Sequence, residues 1–160
     1  MRAMRRQDRA IQDPEELKAV LDRCKVCRVG MVEEGKPYIV PLNFGYTLEG
    51  EELTLWFHSA RQGRKLDILR QNPQVCFEMD CGHALTGEGE EACVYSYAFS
   101  SIMGEGITEL PEDPEQKLEG LRHLMEQVAG AGDYTFDPKV VQHTVVLRLR
   151  VQWYTGKRHE

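Results

Sequence analysis

Phe57–Val75 reads FHSARQGRKLDILRQNPQV, and the rest of the chain is organised around it. Its strand, Leu53–His58, alternates: Leu55 and Phe57 share one face, Trp56 and His58 the other. The strand ends on a small hydroxyl residue, Ser59. It then passes through Gly63 into a short helix, Arg64 to Gln71, which Asn72-Pro73 stops. Val75, Phe77 and Met79 follow, alternating with Cys76, Glu78 and Asp80 as a half-buried strand. Such a strand-to-helix junction can hold a phosphate. Ser59 offers a hydroxyl, Arg64 and Lys65 offer fixed positive charge, and the first N–H groups of a helix have no partner within it. Cations at a helix start oppose its dipole unless an anion sits there. The chain as a whole is acidic, with 20 Lys and Arg against 26 Asp and Glu. The local basic cluster therefore points to a small phosphorylated ligand, and the net charge argues against nucleic acid.

Upstream, residues 1–12 are polar and read as a loose arm. Asp13-Pro14-Glu15-Glu16 starts a helix, with Asp as the cap and Pro in the first turn. Leu17, Val20, Leu21 and Cys24 give it one apolar stripe. Val26 to Val32 is predicted as a strand, turning at Glu34-Gly35-Lys36 into a second, Pro37–Tyr46, PYIVPLNFGY. There Tyr38, Val40, Leu42, Phe44 and Tyr46 line one face. Ile39, Pro41, Asn43 and Gly45 line the other, and neither face is charged. Such a strand is covered on both sides. The core can cover one; a partner subunit or a ligand must cover the other. Pro41 cannot donate a ladder hydrogen bond, so pairing is interrupted there.

Downstream, Gly87–Glu90 reads as an acidic loop. A long strand runs from Cys93 to about Glu109, with Gly104 and Gly106 marking a bend or bulge. Asp113-Pro114 repeats the helix start, and Leu118, Leu121, Leu124, Met125 and Val128 form that helix's buried stripe. The last strand sets Val145, Leu147, Leu149, Val151 and Trp153 against Arg148, Arg150 and Gln152. Six strands joined mainly by hairpins, without crossover helices, imply an antiparallel sheet closed into a barrel. Residues 13–157 form its single domain.

No apolar run is long enough to span a membrane, and the basic N-terminus lacks the apolar segment of a secretory signal. Five scattered cysteines read as free thiols in a reducing cytoplasm. Cys24-x-x-Cys27 has no second pair at metal-ligand spacing and no thioredoxin-like surroundings, and Cys24 is explained by its helix stripe. No metal site is expected.

These pieces together resemble the flavin-binding split-barrel proteins related to pyridoxamine 5′-phosphate oxidase, and among them the branch named for nitroimidazole resistance. The resemblance rests on Arg28-Val29-Gly30, Pro37–Tyr46, Phe57–Pro73, Val75-Cys76-Phe77-Glu78, Ser96–Gly106 (SYAFSSIMGEG) and Trp153–Lys157, in that order. It implies a mainly β, six-stranded antiparallel Greek-key split β-barrel with flanking helices. It implies a homodimer with FMN bound non-covalently in two symmetric sites at the subunit interface. Pro41, Leu42 and Asn43 would lie along the flavin ring, and His58, Ser59, Arg64 and Lys65 would hold its phosphate. Tyr97, Ser100, Ser101 and Trp153 would close the site from the partner subunit. His58 would also stand near a bound substrate, as the candidate catalytic residue. The activity implied is reduction of small electrophiles such as nitroaromatic compounds. The alternatives are a flavin-storing or flavin-sensing protein without turnover, or the same barrel holding haem or a deazaflavin. The chain ends Thr155-Gly156-Lys157-Arg158-His159-Glu160. It lacks the Arg-Leu-x-Pro pattern with which pyridoxamine phosphate oxidases grip their substrate, so oxidation of vitamin B6 is not expected.

Overall fold

Residues Asn43 and Phe44 shape the whole sheet. In a computed structural model, which describes residues 4–160, they are all that separates β3 (Lys36–Leu42) from β4 (Gly45–Glu49). Yet β3 pairs with β2 (Cys27–Glu33), while β4 pairs with β5 (Glu52–Ser59). With β6 (Gln74–Thr86), β7 (Ser96–Glu109) and β8 (Val145–His159), the strand order is β3-β2-β6-β7-β8-β5-β4. Two strands that are neighbours in sequence thus stand at opposite ends of the sheet. A two-residue link can join them only if the sheet curls round on itself. All its ladders are antiparallel. The expected class, a mainly β antiparallel barrel with flanking helices, is the observed one.

The strand count differs from six for two reasons. The predicted strand Pro37–Tyr46 is two strands, broken where Phe44 turns wholly into the core. The expected arm is also partly ordered: Ala10–Ile11 form β1 against Lys157 and Gly156, and Ile11 is buried. Residues 1–3 of that arm lie outside the described residues.

The helices begin where the Asp-Pro signals place them. Asp13 caps α1 (Pro14–Arg23) by accepting from the Glu15 amide at 3.0 Å, and Asp113 caps α3 (Pro114–Ala129) through Gln116 at 3.2 Å. Asp137 does the same for α4 (Pro138–His143), a third Asp-Pro start. Between β5 and β6 runs α2 (Arg64–Gln71), burying Leu66, Ile68 and Leu69. Leu21, Phe44, Leu55, Leu66, Met79, Ile102 and Leu149 fill the core. Outside the barrel, α3 seats on β4 and β5, with Gly120 against the Trp56 indole. Buried Gln127 ties α3 to the end of α1, its Nε2 donating to the Leu21 and Cys24 carbonyls at 2.7 Å each. Among the described residues no helix is long and apolar enough to cross a membrane.

All five cysteines are free, and Cys24 and Cys27 are buried. Burial pushes the Cys24 thiol up to about 12 and raises Cys27 as well. In the unfolded chain such thiols ionise near about 8.5. The folded state thus holds extra protons at alkaline pH, and stability should fall as pH rises from about 9 towards 12. Replacing both thiols by Ala should flatten that slope in thermal melts taken across this range. An unchanged slope would assign it to Tyr46, whose phenol burial and Asp22 also push up to about 12.

Candidate functional site

Ser59 closes β5 opposite Val145 of β8. It is only 6% exposed, and its Oγ is buried without a hydrogen-bond partner. A buried hydroxyl left unpaired costs about 1–3 kcal/mol, so an orphan at this position calls for a ligand or a water. Gly63 (φ 143°) then turns the chain into α2, whose first turn has no side-chain cap. The left-handed region is open to glycine without the cost of a Cβ.

Arg64 reaches across to the β2–β3 hairpin. Its Nη2 lies 2.8 Å from Glu33, and its guanidinium stands 4.4 Å over the Tyr38 ring. Lys65 is half-buried and makes no ion pair among the described residues. Glu33 and Tyr38 join this junction from a distant part of the chain. Nothing in their own spacing announces it; only the fold brings the hairpin to α2.

A second feature is the outer face of the sheet away from α3. Register places Ile39, Gly30, Cys76, Glu105 and Trp153 in one row across β3, β2, β6, β7 and β8. Pro41, Arg28, Glu78, Met103 and Thr155 form the next. Ile39 is 66% and Met103 55% exposed, and Pro41 is also open. Among the described residues no helix or strand covers this face at Ile39 or Met103, although Met4 of the N-terminal arm stands near Met103. Between these apolar residues Arg28 bridges Glu78 and Asp80 at 3.0 and 2.6 Å. Ser101, Trp153 and Lys157 border a shallow cleft of about 200 Å³ on the same face.

The site residues read from sequence therefore fall into separate groups. Ser59, Arg64 and Lys65 gather at the β5–α2 junction. Pro41, Ser101 and Trp153 share the open face, but three strand steps, roughly 14 Å, separate β3 from β7. Leu42 turns inward and is half-buried. Asn43 spends its amide on the β3–β4 link, donating to the Lys25 carbonyl at 2.8 Å. Ser100 is buried on the inner side. Tyr97 lies beyond an irregularity in β6 at Cys81–Ala84, exposed and stacked on His83 at 5.9 Å between ring centres. His58 is exposed and faces away from Ser59, on the side where α3 covers its neighbour Trp56. Trp153 departs from the face read for it. A bulge at Glu105–Gly106 shifts the register, so Val151 points inward and Trp153 outward.

A curled antiparallel barrel with external helices and one uncovered sheet face is a split-barrel architecture. The chain belongs to the pyridoxamine 5′-phosphate oxidase family, whose sequence pattern matches residues 13–158. It is similar to a candidate 5-nitroimidazole antibiotic resistance protein from Bacteroides thetaiotaomicron. The two are 31% identical over 93% of this chain and 86% of that one, with a TM-score of 0.80. The flavocytochrome Anf3 from Azotobacter vinelandii shares the fold at 24% identity, covering 99% of this chain and 72% of that one, TM-score 0.78. A FAD- and haem-binding protein from Mycobacterium smegmatis does so at 19% identity, 95% and 74% coverage, TM-score 0.79. No curated protein matches the chain.

Proposed function

We propose that the chain is an FMN-binding flavoprotein, a homodimer that reduces small electrophiles such as nitroaromatic compounds. The observation that carries this reading is the orphaned Ser59 hydroxyl beside an uncapped helix start and two cations. That donor set fits a phosphate monoester: one hydroxyl, fixed positive charge and free backbone N–H groups. The family and its flavin-binding relatives support the choice of flavin over other phosphorylated ligands.

FMN, when bound, supplies the two-electron chemistry. The chain binds, orients and shields. Arg64 and Lys65 neutralise the phosphate, with Arg64 exchanging Glu33 for it. The exposed apolar row at Ile39 and Pro41 offers the ring a dry surface, and the Asn43 amide fixes the strand end that carries it. A second copy supplies Tyr97, Ser101 and Trp153, because the chain's own β7 and β8 lie too far from its β3; Ser100, turned into the barrel, has no part in this. His58 donates a proton or hydrogen bond to the bound electrophile.

The direct test loads purified protein with FMN, reduces it with dithionite under argon and adds a nitroimidazole. Stoichiometric FMN on a dimer and consumption of the nitro compound are expected. A colourless monomer that takes up no FMN would sink the reading. His58→Ala should retain its FMN, since one neutral donor is worth about 0.5–1.5 kcal/mol. Its flavin-normalised rate of nitro reduction should fall by about a hundredfold or more, the usual range for a lost proton donor. Loss of FMN at an unchanged normalised rate would make His58 a phosphate ligand only.

A further inference from the structure

A groove opens beside the β5–α2 loop, next to the junction described above but lined by different cations. Arg61, Arg70, Lys117 and Thr144 surround a cleft of about 260 Å³ between the β5–α2 loop, the end of α2, α3 and the α4–β8 link. Glu112, Lys117 and Gln142 also border a second chamber, of about 490 Å³, so the two adjoin across these side chains. That chamber is walled by Leu118, Phe136 and Val141. The groove thus has a cationic mouth and an apolar interior.

The charges at the mouth are not spent within the chain. Arg61 and Lys117 make no ion pair among the described residues. Arg70 has one, a 3.5 Å contact with Asp67 in which both side chains are more than half exposed. Such a pair holds little energy. The one carboxylate lining the mouth is Glu112, against three cations, in a chain of net charge −6. Thr144 gives its proton to the Val140 carbonyl at 2.8 Å. Its oxygen can still accept.

From this we infer that the groove binds a small amphipathic anion, a carboxylate or phosphate head on an aromatic or aliphatic body. The head sits among Arg61, Arg70 and Lys117, and the body enters the chamber beside Phe136. Charge complementarity selects the head, and a chamber of several hundred Å³ is the size of a small-molecule site rather than of a peptide groove. The site adjoins the β5–α2 phosphate junction but uses other cations: Arg64 turns to Glu33 and Tyr38, whereas Arg61 and Arg70 line the groove together with Leu110, Pro111 and Glu112 of the β7–α3 loop. The inference does not rest on flavin binding.

The test uses 2-naphthoate and its uncharged analogue 2-naphthylmethanol, titrated by calorimetry into the purified protein with its own flavin content. Naphthoate should bind saturably and about tenfold or more tighter than the alcohol, as a charge-assisted hydrogen bond requires. Arg61→Glu with Lys117→Glu, and separately Arg70→Glu, should weaken naphthoate by about 10- to 100-fold and leave the alcohol unchanged. Phe136→Ser should weaken both probes. Arg64→Ala with Lys65→Ala should change neither. Equal affinity for the two probes, indifference to charge reversal, or no saturable binding would each overturn the inference. So would loss of naphthoate binding in the Arg64 and Lys65 variant, which would move the anion to the other junction.

Discussion

Arg64→Ala with Lys65→Ala will lower FMN affinity by about a hundredfold or more, since each charge-assisted hydrogen bond contributes about 1.5–3 kcal/mol. Riboflavin, which lacks the phosphate, will bind the variant almost as it binds the parent. The Arg64–Glu33 pair does not alter this expectation. Its side chains are 54% and 37% exposed, and an exposed pair is worth about 0–1 kcal/mol. Arg64 therefore gives up little when it turns to a phosphate, and Glu33 left alone remains hydrated. Ser59→Ala makes the complementary case. It removes a buried hydroxyl that has no partner, so the ligand-free chain should melt no lower than the parent while its FMN affinity falls. Flavin fluorescence quenching with both ligands measures the affinities, and melts without ligand report the fold. Equal losses for FMN and riboflavin would mean that Arg64 and Lys65 act on the fold and not on a phosphate.

The parts of this junction that sequence revealed are those with local causes. Ser59, the Gly63 turn and the Arg64-Lys65 start of α2 are contiguous, so their chemistry can be read in one window. The Asp-Pro caps are equally local, since the carboxylate accepts from an amide two or three residues on. The same signal at Asp137 stands without a following stripe, because α4 has six residues, too few for one to repeat. Other features depend on distant partners. Uncharged residues run unbroken from Tyr38 to Tyr46, and only the competing ladders of β2 and β5 decide that two strands lie there. Two-residue β1 has no period to detect. For Trp153 the warning was present, since Gly106 was read as a bend or bulge. A bulge adds a residue to one strand and flips every side chain beyond it. Applied to β8, that rule moves Trp153 to the outer face. His58 was separated correctly from Leu55 and Phe57. That α3 would cover the rest of its face followed from packing between elements far apart in sequence.

That packing has its tightest point at Gly45, and Gly45→Ala will disrupt it. Gly45 opens β4 opposite Trp56, directly under α3. A Cβ there would overlap the His123 carbonyl carbon and the Leu124 amide nitrogen. These are backbone atoms in the middle of α3, so no side-chain rotation relieves the overlap; the helix must lift. Lifting it uncovers Leu124, Val146 and the Trp56 indole, which are 7%, 1% and 3% exposed. Overpacking alone costs about 1–3 kcal/mol, and lost burial adds about 1.5–3 kcal/mol for each large side chain that becomes wet. At about 2–4 °C per kcal/mol for a domain of this size, the midpoint should drop by about 10 °C. Trp56 is one of two tryptophans, so its hydration should also shift the emission to longer wavelength. Gly50→Ala is the control. Its site is open, with nothing within 4 Å of an added Cβ, and its φ of 62° costs only the left-handed strain, about 1–2 kcal/mol. If Gly45→Ala melts no lower than Gly50→Ala, with unshifted emission, α3 does not seat on β4 as closely as Gly45 implies.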